Sequence, residues 1–250
     1  MGMGRRDARI LELLGERGRC DVSVLAEELG VSQVTVRKDL DSLAERRLVR
    51  RVHGHAELGS PDDVAGRLAY HYEAKLAIAR RAAGLVAAGE TVMVESGSCC
   101  ALFARELVAA GRGVTLITNS AFIAAYVRDL PGARVVLLAG NYQPDAQVTV
   151  GPLVRASVAG LAVDKLFVGT DGYAGSGVFT NEDPLRAQAV HDMAERAARV
   201  YVVTESEKFG RRGLMPLDLA GRPVTVVTDD ALAAGTAADL AAVGVGVLRA

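Results

Sequence analysis

Apolar residues near the start of the chain recur three and four positions apart, the spacing of one face of an α-helix. The pattern predicts three helices, over residues 5–17, 21–29 and 33–47. Gly18 and Gly30 follow the first two helices, and glycine often ends a helix because it adopts the left-handed conformation. Ser32 precedes the third helix and is a typical N-terminal cap. The third helix has one apolar stripe, at Val36, Leu40 and Leu43. Three short helices joined in this way are typical of a helix-turn-helix.

A β-hairpin is predicted after the third helix. Residues 48–52 alternate enough for a short strand, residues 53–55 supply a turn, and residues 56–58 form the returning strand. Residues 59–67 contain proline, glycine and paired aspartates without periodicity, as linkers do. We therefore expect a winged helix-turn-helix domain of α+β class over residues 1–58 and a linker over residues 59–67.

From residue 68 the pattern changes to alternating helices and strands. A helix of about twenty residues, 68–88, is expected first. The predicted strands are 91–94, 114–118, 134–138, 165–168, 199–203, 223–228 and 245–248. The predicted helices between them are 99–110, 121–130, 153–159, 184–198 and 231–243. Several strands are continuous apolar runs, which indicates burial on both faces of a mostly parallel sheet. Residues 68–250 are thus expected to form an α/β domain.

Composition narrows the class of protein. Half of the 250 residues are hydrophobic, which is enough for a sizeable core. Residues 1–56 carry 11 Lys/Arg against 9 Asp/Glu, so the net charge of this region alone does not indicate a nucleic-acid-binding protein. Three cysteines without regular spacing argue against a disulfide framework or a zinc site, and we expect no metal and no cofactor. The absence of a signal segment or a long apolar run predicts a cytoplasmic protein that does not enter a membrane.

The third predicted helix has side chains suited to DNA on its open face. Gln33 and Arg37 can form paired hydrogen bonds with base edges in the major groove. Ser32, Thr35 and Lys38 can contact phosphates. On the following strand, Arg50 and Arg51 are predicted to contact the phosphate backbone of DNA or a neighbouring groove. A solvent-exposed charged face on any small three-helix domain would have a similar pattern, so spacing alone leaves both interpretations open.

The residues of this region resemble the DNA-binding signature of the DeoR family of bacterial regulators. The matching residues are Val31 and Ser32 before the third helix, Thr35, Val36, Arg37, Lys38, Asp39 and Leu40 within it, and Arg51, His53 and Gly54 after it. The resemblance implies binding of operator DNA and adds His53 to the DNA-contacting residues. His55 occupies the position of a second glycine in the family pattern, and histidine adopts a positive φ less readily than glycine.

Polar segments follow the ends of four predicted strands, where open α/β sheets bind ligands. They contain Ser96, Gly97, Ser98 and Cys99; Asn119 and Ser120; Gly169, Thr170, Asp171 and Gly172; and Lys208. The first segment opens a helix and could hold an anion. Asp171 could accept hydrogen bonds from hydroxyls, and Lys208 could bind a phosphate. Ordinary turns, a helix cap at Asn119 and a surface lysine are the alternatives. A lowered thiol pKa at Cys99 is a further hypothesis, although buried packing explains this cysteine more simply.

These segments also resemble the C-terminal domain of the DeoR family, in the same order along the chain. The matching segments are Ser96-Gly97-Ser98, Thr118-Asn119-Ser120, Gly140, Gly169-Thr170-Asp171-Gly172, and Ser206 with Lys208-Phe209-Gly210. The resemblance implies a sensor fold similar to ribose-phosphate isomerases and CoA transferases, with a phosphorylated sugar as effector. The chain departs from the family pattern at Glu95, Cys99 and Ala139, which replace Asp, a hydroxyl residue and Gly.

The sequence therefore predicts a transcription regulator and not an enzyme. The resemblance implies a repressor of a carbohydrate-utilisation operon that binds DNA as a homo-oligomer, dimer or tetramer, and is released by its effector. One alternative is a sugar-phosphate isomerase with a DNA-binding appendage, but the acidic and Lys-Gly-rich motifs of such isomerases are not found. Another is a DNA-binding protein without a ligand, against which the polar strand ends argue.

Overall fold

The computed structural model describes residues 5–45, 49–52, 54–58 and 64–250. The chain divides into two compact units, Met1–Tyr72 and Glu73–Ala250. Among the described residues, no helix combines the length and the apolar character needed to cross a bilayer.

The N-terminal unit combines helices with a small antiparallel sheet. Its elements are α1 (Arg5–Arg17), β1 (Arg19–Asp21), α2 (Val22–Leu29), α3 (Gln33–Glu45), β2 (Val49–Val52), β3 (His55–Leu58) and α4 (Val64–Ala69). The core includes residues from each of the first three helices, such as Ile10, Leu25 and Leu40, all fully buried. Gly30, at φ 63°, ends α2 in the left-handed conformation, and its N–H donates to the carbonyls of Ala26 and Glu27. The predicted three helices and hairpin are confirmed.

Three strands, and not two, form the N-terminal sheet, in the order β1-β3-β2. In β1, Cys20 is buried between two exposed neighbours and pairs with Ala56 across the strands. Its thiol donates to the carbonyl of Leu13 at 3.6 Å, which holds the strand against α1. A three-residue strand is too short for its alternation to be recognised in the sequence, and β1 was not predicted.

The helix predicted over residues 68–88 is two helices, and this prediction was wrong. Helix α4 ends at Ala69, and α5 runs from Tyr72 to Ala83. His71 between them has φ 50°, a left-handed conformation that a right-handed helix cannot include. Helix α4 also starts within the predicted 59–67 linker, of which residues 59–63 lie outside the described part of the chain.

The C-terminal unit is built on a seven-stranded parallel sheet. After α5 its elements are β4 (Thr91–Val94), α6 (Ser98–Ala109), β5 (Thr115–Thr118), α7 (Ala121–Val127), β6 (Arg134–Leu137), β7 (Asn141–Gln143), β8 (Val148–Val150), α8 (Pro152–Val158), β9 (Val163–Val168), β10 (Gly172–Tyr173), β11 (Phe179–Asn181), α9 (Pro184–Ala194), β12 (Ala197–Val203), a 3₁₀ turn (Ser206–Gly210), β13 (Met215–Pro216), β14 (Val224–Thr228), α10 (Ala234–Ala242) and β15 (Gly246–Arg249). The sheet order is β15-β14-β12-β9-β4-β5-β6. Its strands correspond to the seven predicted ones, and the fold class is confirmed.

The strand order changes direction between β4 and β9, although all strands of the sheet are parallel. From β4 the strands proceed to β5 and β6 on one side, whereas β9, β12, β14 and β15 lie on the other. Parallel pairing places Val94 beside both Phe167 and Thr118, so their strands end at one edge. The main core includes the buried residues Met93, Leu166, Val200 and Val226 of four adjacent strands. This core fixes the strand ends that carry the predicted ligand-binding segments.

Two smaller sheets were not predicted. Strands β7 and β8 form a hairpin, and β10, β11 and β13 form a three-stranded antiparallel sheet. Their strands have two or three residues, which is shorter than the alternation that a sequence pattern needs. The antiparallel sheet is important for the candidate site because β10 follows Asp171 directly.

Candidate DNA-binding face and ligand site

The start of α3 is capped by Ser32. Its Oγ accepts a hydrogen bond from the backbone N–H of Thr35 at 3.1 Å and lies 2.9 Å from the Thr35 Oγ1. This is the N-cap arrangement, in which a side-chain oxygen satisfies an N–H that the first turn leaves free. Ser32 and Thr35, both predicted to contact DNA, thus first stabilise the helix that presents the other contacts.

One face of α3 is solvent-exposed along its first two turns. It carries Gln33, Val34, Arg37 and Lys38, while Val36 and Leu40 on the opposite side are fully buried. The Arg37 Nη2 donates to the Gln33 Oε1 at 3.4 Å, one helical turn away. Val34 is 60% exposed and was not among the predicted contacts.

Asp39 anchors α3 to α1. Its two carboxylate oxygens accept hydrogen bonds from Nε and Nη2 of Arg6, at 2.6 and 2.8 Å. This is the paired geometry in which a guanidinium binds a carboxylate most strongly. Asp39 therefore orients the exposed face and does not form part of it.

The wing arginines are ion-paired within the unit. Arg50 Nε donates to Glu57 at 2.6 Å across the hairpin, and Arg51 pairs with Asp41 of α3. Both arginines remain exposed. His53 lies outside the described residues. Gly54 has φ 79°, whereas His55 lies in β3 and pairs with Val52, so the positive φ of the turn falls on the glycine that is present.

The carboxyl ends of β4 and β9 are held together by Glu95. Its Oε2 accepts a hydrogen bond from the backbone N–H of Gly169 at 3.2 Å, and its Oε1 accepts one from the Ser96 hydroxyl at 2.6 Å. Glu95 is 3% exposed, and burial raises its pKa to about 7. Asp171 adds to this rise, whereas Ser96, Gly169 and Arg186 oppose it. Two of the predicted segments thus meet at a carboxyl group that gains and loses its proton near neutral pH.

Cys99 does not have the lowered pKa proposed from its place at a helix start. Its side chain is 6% exposed, and burial, with a smaller contribution from Glu205, raises its pKa to about 12. The desolvation of a thiolate outweighs the helix dipole here. Cys99 is a buried packing residue, as the simpler interpretation had it.

After the end of β5, Ser120 caps the next helix and Asn119 bonds to Thr149 of β8. Ser120, fully buried, caps α7 by accepting from the N–H of Ile123 at 3.2 Å, so the helix cap that was the alternative role of Asn119 belongs to Ser120. Asn119 is 1% exposed, and its Nδ2 donates to the carbonyl of Thr149 at 3.1 Å. Its Oδ1 accepts no hydrogen bond from the described residues. That oxygen has the capacity to accept one from a ligand.

In the segment after β9, Thr170 and Asp171 are hydrogen-bonded mainly to nearby backbone groups. The Thr170 Oγ1 lies 2.7 Å from the carbonyl oxygen of Gly172 and 2.9 Å from that of Thr180, so its hydroxyl can donate to either. One Asp171 oxygen accepts from the N–H of Glu182 at 3.1 Å. A Cβ on Gly172 would lie 2.6 Å from the carbonyl oxygen of Arg211, so backbone packing explains this glycine. Gly169, Thr170 and Asp171 remain half-buried.

Lys208 lies on the 3₁₀ turn that follows β12. Asp229, at the end of β14, holds the turn by accepting from the N–H and the hydroxyl of Ser206, at 2.7 and 2.6 Å. Phe209 packs against Tyr173 with ring centroids 5.2 Å apart. Burial lowers the pKa of Lys208, and Arg211 adds to this, whereas Asp171, Glu207 and Glu205 raise it. Lys208 is therefore a half-buried cation among acidic groups, in range of Asp171.

A buried ion pair lies beside this cluster. Lys75 Nζ of α5 is 3.3 Å from the Glu205 Oε2, and their side chains are 2% and 5% exposed. Both Lys75 and Glu205 act electrostatically on Cys99, as Lys208 does. Neither member was predicted, because a lysine in a helix and a glutamate in a loop are usually exposed. Only the fold brings them together.

The N-terminal and C-terminal regions match two parts of one protein family. Residues 6–61 match the DeoR-like helix-turn-helix domain, and residues 70–230 match the DeoR C terminal sensor domain. The chain belongs to the DeoR family. The resemblance seen in the sequence is confirmed, and the chain is an HTH-type transcription regulator with a sensor domain.

Individual relatives cover nearly the whole chain. The HTH-type transcriptional regulator GlpR of Haloferax volcanii is 30% identical over 97% of this chain and 96% of its own. The transcriptional repressor AccR of Agrobacterium fabrum is 29% identical over 84% of this chain and 83% of its own. Among solved structures, a ribose 5-phosphate isomerase A of Methanocaldococcus jannaschii is similar over 56% of this chain and 55% of that chain, with 20% identity and a TM-score of 0.43.

The departures from the DeoR pattern differ in their structural effect. Glu95 is long enough to reach the N–H of Gly169 on the neighbouring strand. Ala139 is exposed, and its N–H donates to the Ser157 hydroxyl at 3.2 Å. The strict glycine is Gly140, since a Cβ there would lie 2.8 Å from Val150 O. Of the departures, Glu95 and Cys99 lie where β4 gives way to α6, and Ala139 lies in the loop between β6 and β7.

Proposed function

We propose that this DeoR-family chain is a sequence-specific repressor of a carbohydrate-utilisation operon and that a phosphorylated sugar releases it from its operator. In this proposal the exposed face of α3 enters the major groove, and the wing contacts the phosphate backbone. The C-terminal unit binds the effector at its strand ends. The domain bounds 1–58, 59–67 and 68–250, the homo-oligomeric state and the cytoplasmic location are part of the same proposal.

The exposed face of α3 is the observation that carries the DNA-binding part. Gln33, Arg37 and Lys38 offer hydrogen-bond donors and positive charge on a rigid, capped helix whose other side is buried. Recognition helices contact bases through such residues of their first turns. Arg50 and Arg51 are exposed beside this helix and are suited to phosphates. The relative AccR is a transcriptional repressor, which supports repression as the mode.

The polar groups that follow the carboxyl ends of the parallel strands support an anionic, hydroxyl-bearing effector. Lys208 supplies a cation, and the first turn of α6 supplies backbone N–H groups for a phosphate. Asp171 and the Asn119 Oδ1 are acceptors that sugar hydroxyls can satisfy. The buried hydroxyls of Ser96 and Ser120 are already bonded to Glu95 and to the N–H of Ile123, so these residues shape the site, as the buried Cys99 and Gly172 do. Gly97, Ser98, Gly169 and Thr170 are more accessible.

Two lysine variants test both halves of the proposal. Lys208→Met should keep operator binding in a gel shift and lose the rise in melting temperature that a phosphorylated sugar gives the native chain. Lys38→Met should do the reverse, because it removes a cation from α3 only. A panel of phosphorylated sugars, each beside its unphosphorylated form, serves as probe. The effector site is wrong if Lys208→Met responds to the panel as the native chain does.

Arg37→Ala isolates the recognition helix. Removing one paired contact with a base should weaken operator binding on the order of 1–3 kcal/mol, roughly 5-fold to 150-fold. The melting temperature should not change, because Arg37 is exposed. Unchanged operator affinity in this variant would contradict the assignment of α3.

A further inference from the structure

The first turn of α3 exposes an apolar side chain among polar ones. Val34 is 60% exposed, and its neighbours on the same face are Gln33, Arg37 and Lys38. The described residues give Val34 no part in the core, which the helix forms with Val36 and Leu40 on its other side. Valine also has a lower helix propensity than the polar residues around it. Neither folding nor solubility accounts for a valine at this position.

The geometry of the helix places Val34 within the DNA-binding face. Residues four apart lie one above the other on a helix, so Gln33 lies next to Arg37, as their 3.4 Å contact shows. By the same rule Val34 lies next to Lys38. Two rows therefore run side by side, one with hydrogen-bonding groups and one that begins with two methyl groups. A β-branched side chain holds those methyl groups in a narrow range of directions.

We propose that Val34 is a specificity-determining residue that contacts the 5-methyl group of a thymine in each operator half-site. Thymine is the base that presents a methyl group in the major groove, and apolar side chains recognise it by contact. The flanking cations Arg37 and Lys38 favour DNA over an apolar protein surface as the partner of this face. The inference rests on the proposed role of α3 as the recognition helix.

Deoxyuridine provides a direct test, since it pairs as thymine does and lacks only the methyl group. The full chain first selects a binding duplex from a random library, and each thymine of that duplex is then replaced in turn. We expect one position in each half-site where the replacement weakens the native chain about 4-fold, the effect of about 0.8 kcal/mol for one buried methyl group. Val34→Ala should show a clearly smaller loss at that position, because the two terminal methyl groups that make the contact are gone.

Arg37→Ala separates failure of the inference from failure of the proposed function. If Arg37→Ala binds the selected duplex as tightly as the native chain does, α3 is not the recognition helix and both fall. If Arg37→Ala is weakened while deoxyuridine costs the native chain and Val34→Ala equally at every position, only the role of Val34 is overturned. Half-sites selected without a thymine also overturn it. Circular dichroism should give both variants the melting temperature of the native chain.

Discussion

The two candidate sites of this regulator are built in opposite ways. On α3, the DNA-binding side chains Gln33, Arg37 and Lys38 are exposed, and the helix needs only a cap and a buried opposite face to present them. At the strand ends, Glu95 is almost fully buried and bonded to the N–H of Gly169, and Glu205 is almost fully buried against Lys75 of α5. Substitutions on the exposed face of α3 should therefore change binding alone, whereas substitutions at the strand ends should change stability as well.

The largest expected effect is at the buried ion pair. Lys75→Met leaves Glu205 buried without this cation, which should lower the free energy of unfolding by about 3–5 kcal/mol. Chemical denaturation followed by circular dichroism measures it. The double variant Lys75→Met with Glu205→Leu should recover most of the loss, because both charges of this pair are removed together.

Arg80 on the same helix provides a matched control. It pairs with Glu106 at 3.1 Å, but its side chain is 64% exposed. Arg80→Met should therefore cost less than about 1 kcal/mol, as exposed pairs do. Equal losses in Lys75→Met and Arg80→Met would show that burial does not set the contribution of these pairs.

Glu95 predicts a pH dependence of stability. Its pKa is raised to about 7 in the folded chain from an ordinary value of 4.5, so folding takes up a proton between these values. Stability from this group is complete below pH 4.5 and is lost as pH rises to 7, by on the order of 3 kcal/mol. Glu95→Gln resembles the neutral form and should lack this loss.

The measurement is the difference in the free energy of unfolding between the native chain and Glu95→Gln, from pH 5 to pH 8. Titration of every other group is common to both proteins and cancels in that difference. The native chain should lose stability relative to the variant as pH rises. Parallel curves would mean that Glu95 ionises in the folded chain as it does in the unfolded one.

How much the sequence predicts follows from the same contrast. The face of α3 and the seven strands could be predicted because helical and apolar patterns are local properties of the chain. The buried roles of Lys75 and Glu205 could not, because they depend on a contact between α5 and the loop after β12. Nor could the break at His71, where no glycine or proline marks the left-handed residue.

Cys99 and Ser120 show a second limit. The sequence placed both at helix starts, but it could not tell how deeply the fold buries them. Burial reverses the expected direction of the thiol pKa at Cys99. At Ser120 the hydroxyl is fully buried and caps α7, which the sequence did not indicate. Position along the chain was correct in each case, and the environment decided the chemistry.

The cap of α3 should have a moderate effect on stability and so sharpens the contrast from the other side. Ser32→Ala removes the acceptor for the Thr35 N–H and should cost about 1 kcal/mol of stability. Ser42→Ala is the control, since Ser42 lies exposed within the same helix. Melting curves of the two variants should differ accordingly. If they coincide, the cap does not contribute measurably to the helix.

The smallest expected effect concerns the wing pair Arg50–Glu57. Glu57→Gln should change stability by less than about 1 kcal/mol, because Arg50 is largely exposed. It should tighten operator binding about 2-fold at low salt, since in the native chain Glu57 competes with DNA phosphates for Arg50. The gain should shrink as salt rises and screens the charges. Asp129→Asn, which removes one negative charge from the C-terminal unit, controls for net charge alone. A similar gain in that control would assign the effect to total charge. Weaker binding by Glu57→Gln would instead mean that Glu57 holds Arg50 in the orientation that the phosphate requires.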